Sequence, residues 1–186
     1  MSRELIDTTV VDCFEVRPPR HRDLRGTLTK PFMALELDSR GLSFDLRELI
    51  WSESTEGVIR GLHFQVPPME GAKFVYCVSG HVRDIVVDLR VGSPSFGQYA
   101  AVDLQAEIGN AIYVPSGCAH GFEVRSEHAV VTYAIDVDYD PATDGGIRWD
   151  SAGVEWRTPS PILSDKDQSL QALADFESPF RYGQGA

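Results

Sequence analysis

A chain of 186 residues with 42% hydrophobic content is long enough for one closed core and does not require two. Its formal net charge of −11 weighs against nonspecific binding to DNA, RNA or anionic membranes, because attraction to phosphate dominates such binding. An anionic ligand therefore needs a local cluster of Arg and Lys.

The N-terminal stretch MSRELIDTTVVDCF carries charges where a signal peptide needs an apolar segment, and no later run has the length of a membrane helix. A cytoplasmic protein without membrane association is expected. Cys13, Cys77 and Cys118 lack CxxC spacing and are odd in number, which suits reduced thiols.

Through the middle of the chain, GVIRGLHFQ, KFVYCV, HVRDIVVDL, QYAAVDL, AIYVP, GFEVR and AVVTYAIDV are short apolar or alternating runs divided by Gly, Pro, Ser and Asp. This is an all-β pattern, a sandwich or barrel, since parallel architecture needs long crossovers. The Ser79-Gly80 pair divides two strand-like runs and predicts a tight hairpin, Gly80 supplying the positive φ. Helix is expected only near the termini. In SDKDQSLQALADF, Ser164 or Asp165 caps a short helix with Leu170, Leu173 and Ala174 on one face. The polar, Gly-rich tail from Ser178 to Ala186 is expected to be loose or docked on a neighbour.

Two stretches carry candidate chemistry. In GNAIYVPSGCAHGF, the spacing of Gly109, Pro115, Gly117 and His120 is similar to the second cupin motif, in which a strand ends at the proline and a turn aims the histidine into a barrel mouth. Metal-binding cupins add an HxH pair and a carboxylate; this chain contains no HxH, so no metal is expected. In GVIRGLHFQ, Arg60 and His63 fall on opposite faces of a regular strand, so their convergence on one cavity requires a bulge, and Gly61 is the residue to permit it.

RGLHFQ at 60–65, Lys73, DIVVDLRVGSPSFGQY at 84–99, YVPSGCAHGF at 113–122, Tyr133, YDPATDGGIRWD at 139–150 and LSDKD at 163–167 stand in an order that resembles the dTDP-4-dehydrorhamnose 3,5-epimerase family. The resemblance implies a single cupin, jelly-roll β-barrel domain over 1–186 and a homodimer with N-terminal strands exchanged. It also implies inversion of C3, C5 or both beside the C4 ketone of a dTDP-4-keto-6-deoxyhexose, without metal or organic cofactor. Enolisation needs a base, an acid on the opposite face and a charge beside the ketone oxygen. By resemblance these are His63 oriented by Asp167, Tyr133, and Lys73. Arg25 and Arg60 would hold the diphosphate, His120 and Gln65 would be polar contacts, and Tyr139 would stack on thymine. Arg148 and Trp149 read as structural.

The chain departs from the family pattern at Lys30, where a glutamate is usual, at Glu48 and Ile50, where amides are usual, and at Ala134, where a lysine follows the tyrosine. These changes imply retained proton transfer on a modified substrate or with altered regiochemistry. Two rival readings are a sugar-nucleotide 3,4-ketoisomerase, which would shift the carbonyl, and a sugar-nucleotide-binding cupin that has lost catalysis.

Overall fold

The structure, a computed structural model, describes residues 3–38 and 40–183. In chain order the strands are β1 (Glu4–Asp7), β2 (Phe14–Arg17), β3 (Arg20–Asp23), β4 (Gly26–Thr29), β5 (Glu48–Thr55), β6 (Ile59–Gln65), β7 (Lys73–Ser79), β8 (His81–Asp88), β9 (Tyr99–Gln105), β10 (Ala111–Val114), β11 (Cys118–Val124), β12 (His128–Ile135) and β13 (Asp144–Gly146). Helix α1 (Ala34–Asp38) lies between β4 and β5, and α2 (Asp165–Ser169) follows β13.

Six strands form one sheet in the order β1-β2-β10-β7-β12-β5 and five form a second in the order β13-β6-β11-β8-β9. Their inner faces meet in a core that includes Val75, Val82, Val86, Leu104, Ile112, Phe122 and Val131. This is the jelly-roll architecture, with apolar side chains of both sheets removed from water between them. Outer faces are covered too. Phe14, Phe74 and Tyr113 lie under Leu37 and Phe32 on one side, and Leu62, Phe64 and Ile85 lie under Ile147 and Phe180 on the other. Strand β11 is buried throughout for this reason, so its apolar run does not alternate.

Four expectations from the sequence differ from this fold. The Ser79-Gly80 turn does not close a hairpin: β7 pairs with β10 and β12, whereas β8 pairs with β11 and β9. Gly80 does take a positive φ of 79°, but there the chain passes from one sheet to the other, close against the backbone of His128. The N-terminal strands β1 and β2 extend the chain's own sheet through β10. The free N-terminal element is the hairpin of β3 and β4, with Leu24 and Leu28 exposed. The tail is docked on its own chain: Phe180 is buried and Val91 bridges Arg181, because the outer face of the five-stranded sheet needs apolar cover. The tail's last residues, 184–186, lie outside the described residues.

Helix α1 stands away from the termini, where its Leu37 fills the outer cover of the six-stranded sheet. Near the C-terminus, α2 is capped by Ser164 as expected, but it stops at Ser169. Leu170 is extended, and Leu173–Asp175 forms a separate 3-10 turn.

Candidate active site

A cavity of about 580 Å³ opens between the sheets, and Arg60, His63, Lys73, His120, Tyr133 and Asp167 all line it. Strand β6 delivers two of them. Opposite β11, Phe122 faces Arg60 and His120 faces His63, so three steps along β6 match two along β11. That extra residue is the bulge, and Gly61 sits in it at φ 129°. A Cβ on Gly61 would stand 2.6 Å from the Gly121 Cα, so two glycines are needed where the strands approach. The bulge cancels the parity difference and turns Arg60 and His63 toward one space.

Asp167 arrives from α2. Ser164 takes the cap, its Oγ accepting the Asp167 N–H at 3.1 Å, and this leaves the Asp167 carboxylate free to turn inward. His63 Nε2 lies 2.6 Å from Asp167 Oδ1, and the Gly61 N–H donates to Oδ2 at 3.2 Å. Burial works to raise the Asp167 pKa, but the His63 contact and the backbone N–H prevail and hold it below the ordinary carboxylate value. An anionic Asp167 binding Nε2–H leaves the lone pair on Nδ1 and stabilises the ring once protonated.

On β11 a second pair lies deeper. His120 Nε2 is 2.8 Å from Asp84 Oδ2, both side chains are buried, and among the described residues Asp84 Oδ1 has no hydrogen-bond partner. Burial pushes the Asp84 carboxyl up, with His120 and Lys73 acting against it. Lys73 Nζ approaches the His63 carbonyl at 3.5 Å, and burial brings its pKa down to about 8, opposed by Asp84 and Asp144. The cation is thus retained at neutral pH.

Tyr133 on β12 packs edge-on against the His120 ring at 5.9 Å, and its hydroxyl lies 3.2 Å from Ser52 Oγ. Burial pushes the phenol well above its ordinary pKa, so it keeps its proton at neutral pH. Arg60 Nε donates to Ser54 Oγ at 2.9 Å, and among the described residues no carboxylate pairs with its guanidinium. An imidazole bonded to a carboxylate, a protonated phenol and two cations therefore border one cavity, a set of groups able to serve enolisation of a ketone beside an anionic group.

Three predicted contacts are not among the lining residues. Arg25 sits on the exposed β3–β4 turn, paired with Asp23. Gln65 is consumed structurally: its amide donates to the carbonyls of Met69 and Asp138 and accepts the Asp140 N–H, holding the loop before β13. Tyr139 stands outside the cavity, 54% exposed, its hydroxyl donating to Asp144, which also pairs with Lys166 at the rim. Arg148 pairs with Asp150, and the Trp149 carbonyl accepts the Trp156 indole N–H, both structural contacts.

Asp84, Ser52 and Lys166 were not singled out from the sequence. Asp84 had a signal, a carboxylate inside the apolar run DIVVDL; Ser52 had none. Among the described residues no group of three or more His, Cys, Asp or Glu stands where it could hold a metal ion.

The chain is similar to known proteins in both sequence and fold. The family model described as dTDP-4-dehydrorhamnose 3,5-epimerase matches residues 7–175. A dTDP-4-dehydrorhamnose 3,5-epimerase of Mycolicibacterium smegmatis is 38% identical over 180 residues, 95% of this chain and 88% of that one. A dTDP-4-dehydrorhamnose 3-epimerase of Streptomyces niveus is 36% identical, over 87% of this chain and 80% of the relative. The structure of a 3,5-epimerase from Legionella pneumophila in complex with dTDP-4-keto-L-rhamnose superposes with a TM-score of 0.92 at 30% identity, covering 97% of this chain and 99% of that one.

Proposed function

The chain belongs to the dTDP-4-dehydrorhamnose 3,5-epimerase family and is a carbohydrate epimerase, and from that premise we propose which residues carry the reaction on a dTDP-4-keto-6-deoxyhexose. His63 removes the proton beside the C4 ketone through Nδ1, and the Asp167 carboxylate stabilises the imidazolium that results. Lys73 stabilises the enolate oxygen. Tyr133 returns a proton from the opposite face, and Arg60 holds the diphosphate as a charge-assisted donor. His120 bonds the sugar from the cavity floor. The observation that supports this most directly is the 2.6 Å contact between His63 and Asp167, 104 residues apart, in a cavity shared with Lys73 and Tyr133.

A homodimer in the cytoplasm is part of the same reading. Edge strand β5 leaves Leu49, Ile50 and Trp51 exposed beside an unpaired sheet edge, and the β3–β4 hairpin exposes Leu24 and Leu28. A subunit whose hairpin crossed to its neighbour would bring Arg25 to the neighbour's diphosphate. The three free, buried cysteines suit a reducing compartment, and no helix among the described residues is long and apolar enough to cross a membrane.

Incubation of a dTDP-4-keto-6-deoxyhexose with the protein in heavy water tests the chemistry. Deuterium should enter C3, C5 or both, and His63→Ala should abolish it. Absence of label at both carbons across several such sugars would refute the assignment, and a shifted carbonyl would favour ketoisomerisation. The relatives include both a 3,5-epimerase and a 3-epimerase, and the label pattern reports which centres this chain inverts.

A further inference from the structure

Cross-strand pairing sets which side chains of edge strand β5 face the cavity. Ile50 is the partner of Tyr133 and Glu48 that of Ile135, so Glu48, Ile50, Ser52 and Ser54 share the inner face. Three of them each hold a different residue expected to meet substrate. Glu48 Oε1 accepts the Tyr139 N–H at 3.0 Å, Ser52 Oγ lies 3.2 Å from Tyr133 Oη, and Ser54 Oγ accepts from Arg60 Nε at 2.9 Å. The Ser52 contact is the one that touches a reacting proton. The Tyr133 ring packs against both His120 and Phe122, which restrains its plane but leaves its hydroxyl hydrogen free to rotate.

We propose that Ser52 is the positioning residue for the inverting proton donor: its hydroxyl donates to Tyr133 Oη, aims the phenol hydrogen at the sugar, and bears the phenolate once that hydrogen has gone. The inference rests on the epimerase reading and extends it to a residue outside the acid–base set. The step balances without a co-reactant. The C–H pair becomes the enolate π bond as the proton passes to His63 Nδ1. The enolate carbon then takes the Tyr133 proton on its other face as the O–H bond breaks, and solvent returns the imidazolium proton to the phenolate. The enolate therefore has two fates. Reprotonation by Tyr133 inverts the centre, whereas return from His63, after its proton has exchanged with solvent, leaves deuterium with retained configuration. Burial raises the cost of the phenolate, and the Ser52 hydrogen bond works against that cost. Loss of the hydroxyl slows inversion alone.

The experiment follows deuterium incorporation and inversion at C3 and C5 separately, with a dTDP-4-keto-6-deoxyhexose in heavy water. Ser52→Ala should raise the ratio of exchange with retention to inversion by about tenfold, the worth of one hydrogen bond to a developing charge. Ser52→Thr should keep the wild-type ratio. In a Tyr133→Phe background Ser52→Ala should change nothing further, since the two act as one unit. A ratio unmoved by Ser52→Ala, whether both rates fall together or neither does, overturns the inference, as does a further loss in the Tyr133→Phe background. Should Ser52→Ala fail to fold by circular dichroism, Ser52→Cys keeps the volume, weakens the donor and carries the same expected rise. Wild-type protein that exchanges no deuterium refutes the epimerase reading itself; wild type that inverts while Ser52→Ala keeps its ratio removes only the role of Ser52.

Discussion

The cavity holds two histidine–aspartate pairs on neighbouring strands, with His63 of β6 opposite His120 of β11. They are alike in length, 2.6 Å and 2.8 Å, and unlike in surroundings. The His63 side chain is 32% exposed and its Asp167 has both oxygens bonded, so the carboxylate stays charged, as the base proposed above requires. In the other pair both partners are buried and, among the described residues, one Asp84 oxygen goes without a donor, so desolvation pushes that carboxyl up. The same two residue types thus stand half-exposed at the mouth and buried on the floor. What separates them is the number of donors reaching each carboxylate, as well as burial.

That contrast breaks if the two histidines prove equivalent. His63→Ala should lower kcat by about 10³-fold, within the range of a lost general base. His120→Ala, which takes away a polar contact and no reacting proton, should cost about tenfold. Equal losses in steady-state assays would erase the distinction.

Lys73 stands near both pairs, and its pH dependence sharpens the comparison. With its pKa brought down to about 8, the cation is present below that value and lost above it, so kcat/KM should fall about tenfold per pH unit on the alkaline side. Lys73→Arg, if active, should move that limb to higher pH, since a guanidinium stays charged. A limb unchanged in Lys73→Arg would mean another group sets it.

The smallest effects concern stability. Asp167→Asn should cost about 1–2 kcal/mol at neutral pH and Asp84→Asn less than about 1 kcal/mol, measured by urea unfolding. Their pH dependences should have opposite signs. The folded Asp167 lies below its usual 3.8, so its contribution is present above that pH and is lost as pH falls through the folded value. The folded Asp84 lies above 3.8, so its ionisation costs stability as pH rises through that range, and the wild type gains relative to Asp84→Asn on acidification. Parallel curves for the two variants would contradict the difference between the pairs.

Other features divide along the same physical line. Strand content followed from apolar runs cut by Gly and Pro, and the Gly61 bulge followed from parity, because Arg60 and His63 share a cavity only if one residue is added between them. Ser164 was readable as a cap because capping is decided within a few residues. The Ser79-Gly80 turn was misread because a positive φ identifies where a chain turns, not which sheet receives it. Gln65 has the polarity of a ligand contact, yet its amide is spent on the loop at 138–140, a partner more than seventy positions away.

By itself the sequence determined the strand class, the capped turn of α2, the bulge, and, through separated motifs in order, the family. Those properties are local or survive as patterns of residue type. Tertiary structure alone decided that β7 and β8 belong to different sheets, that Arg25 stands clear of its own cavity, and that Asp84 is sealed while Asp167 is satisfied. A carboxylate's proton affinity depends on the donors and the water around it, and those are supplied by strands far away in the chain.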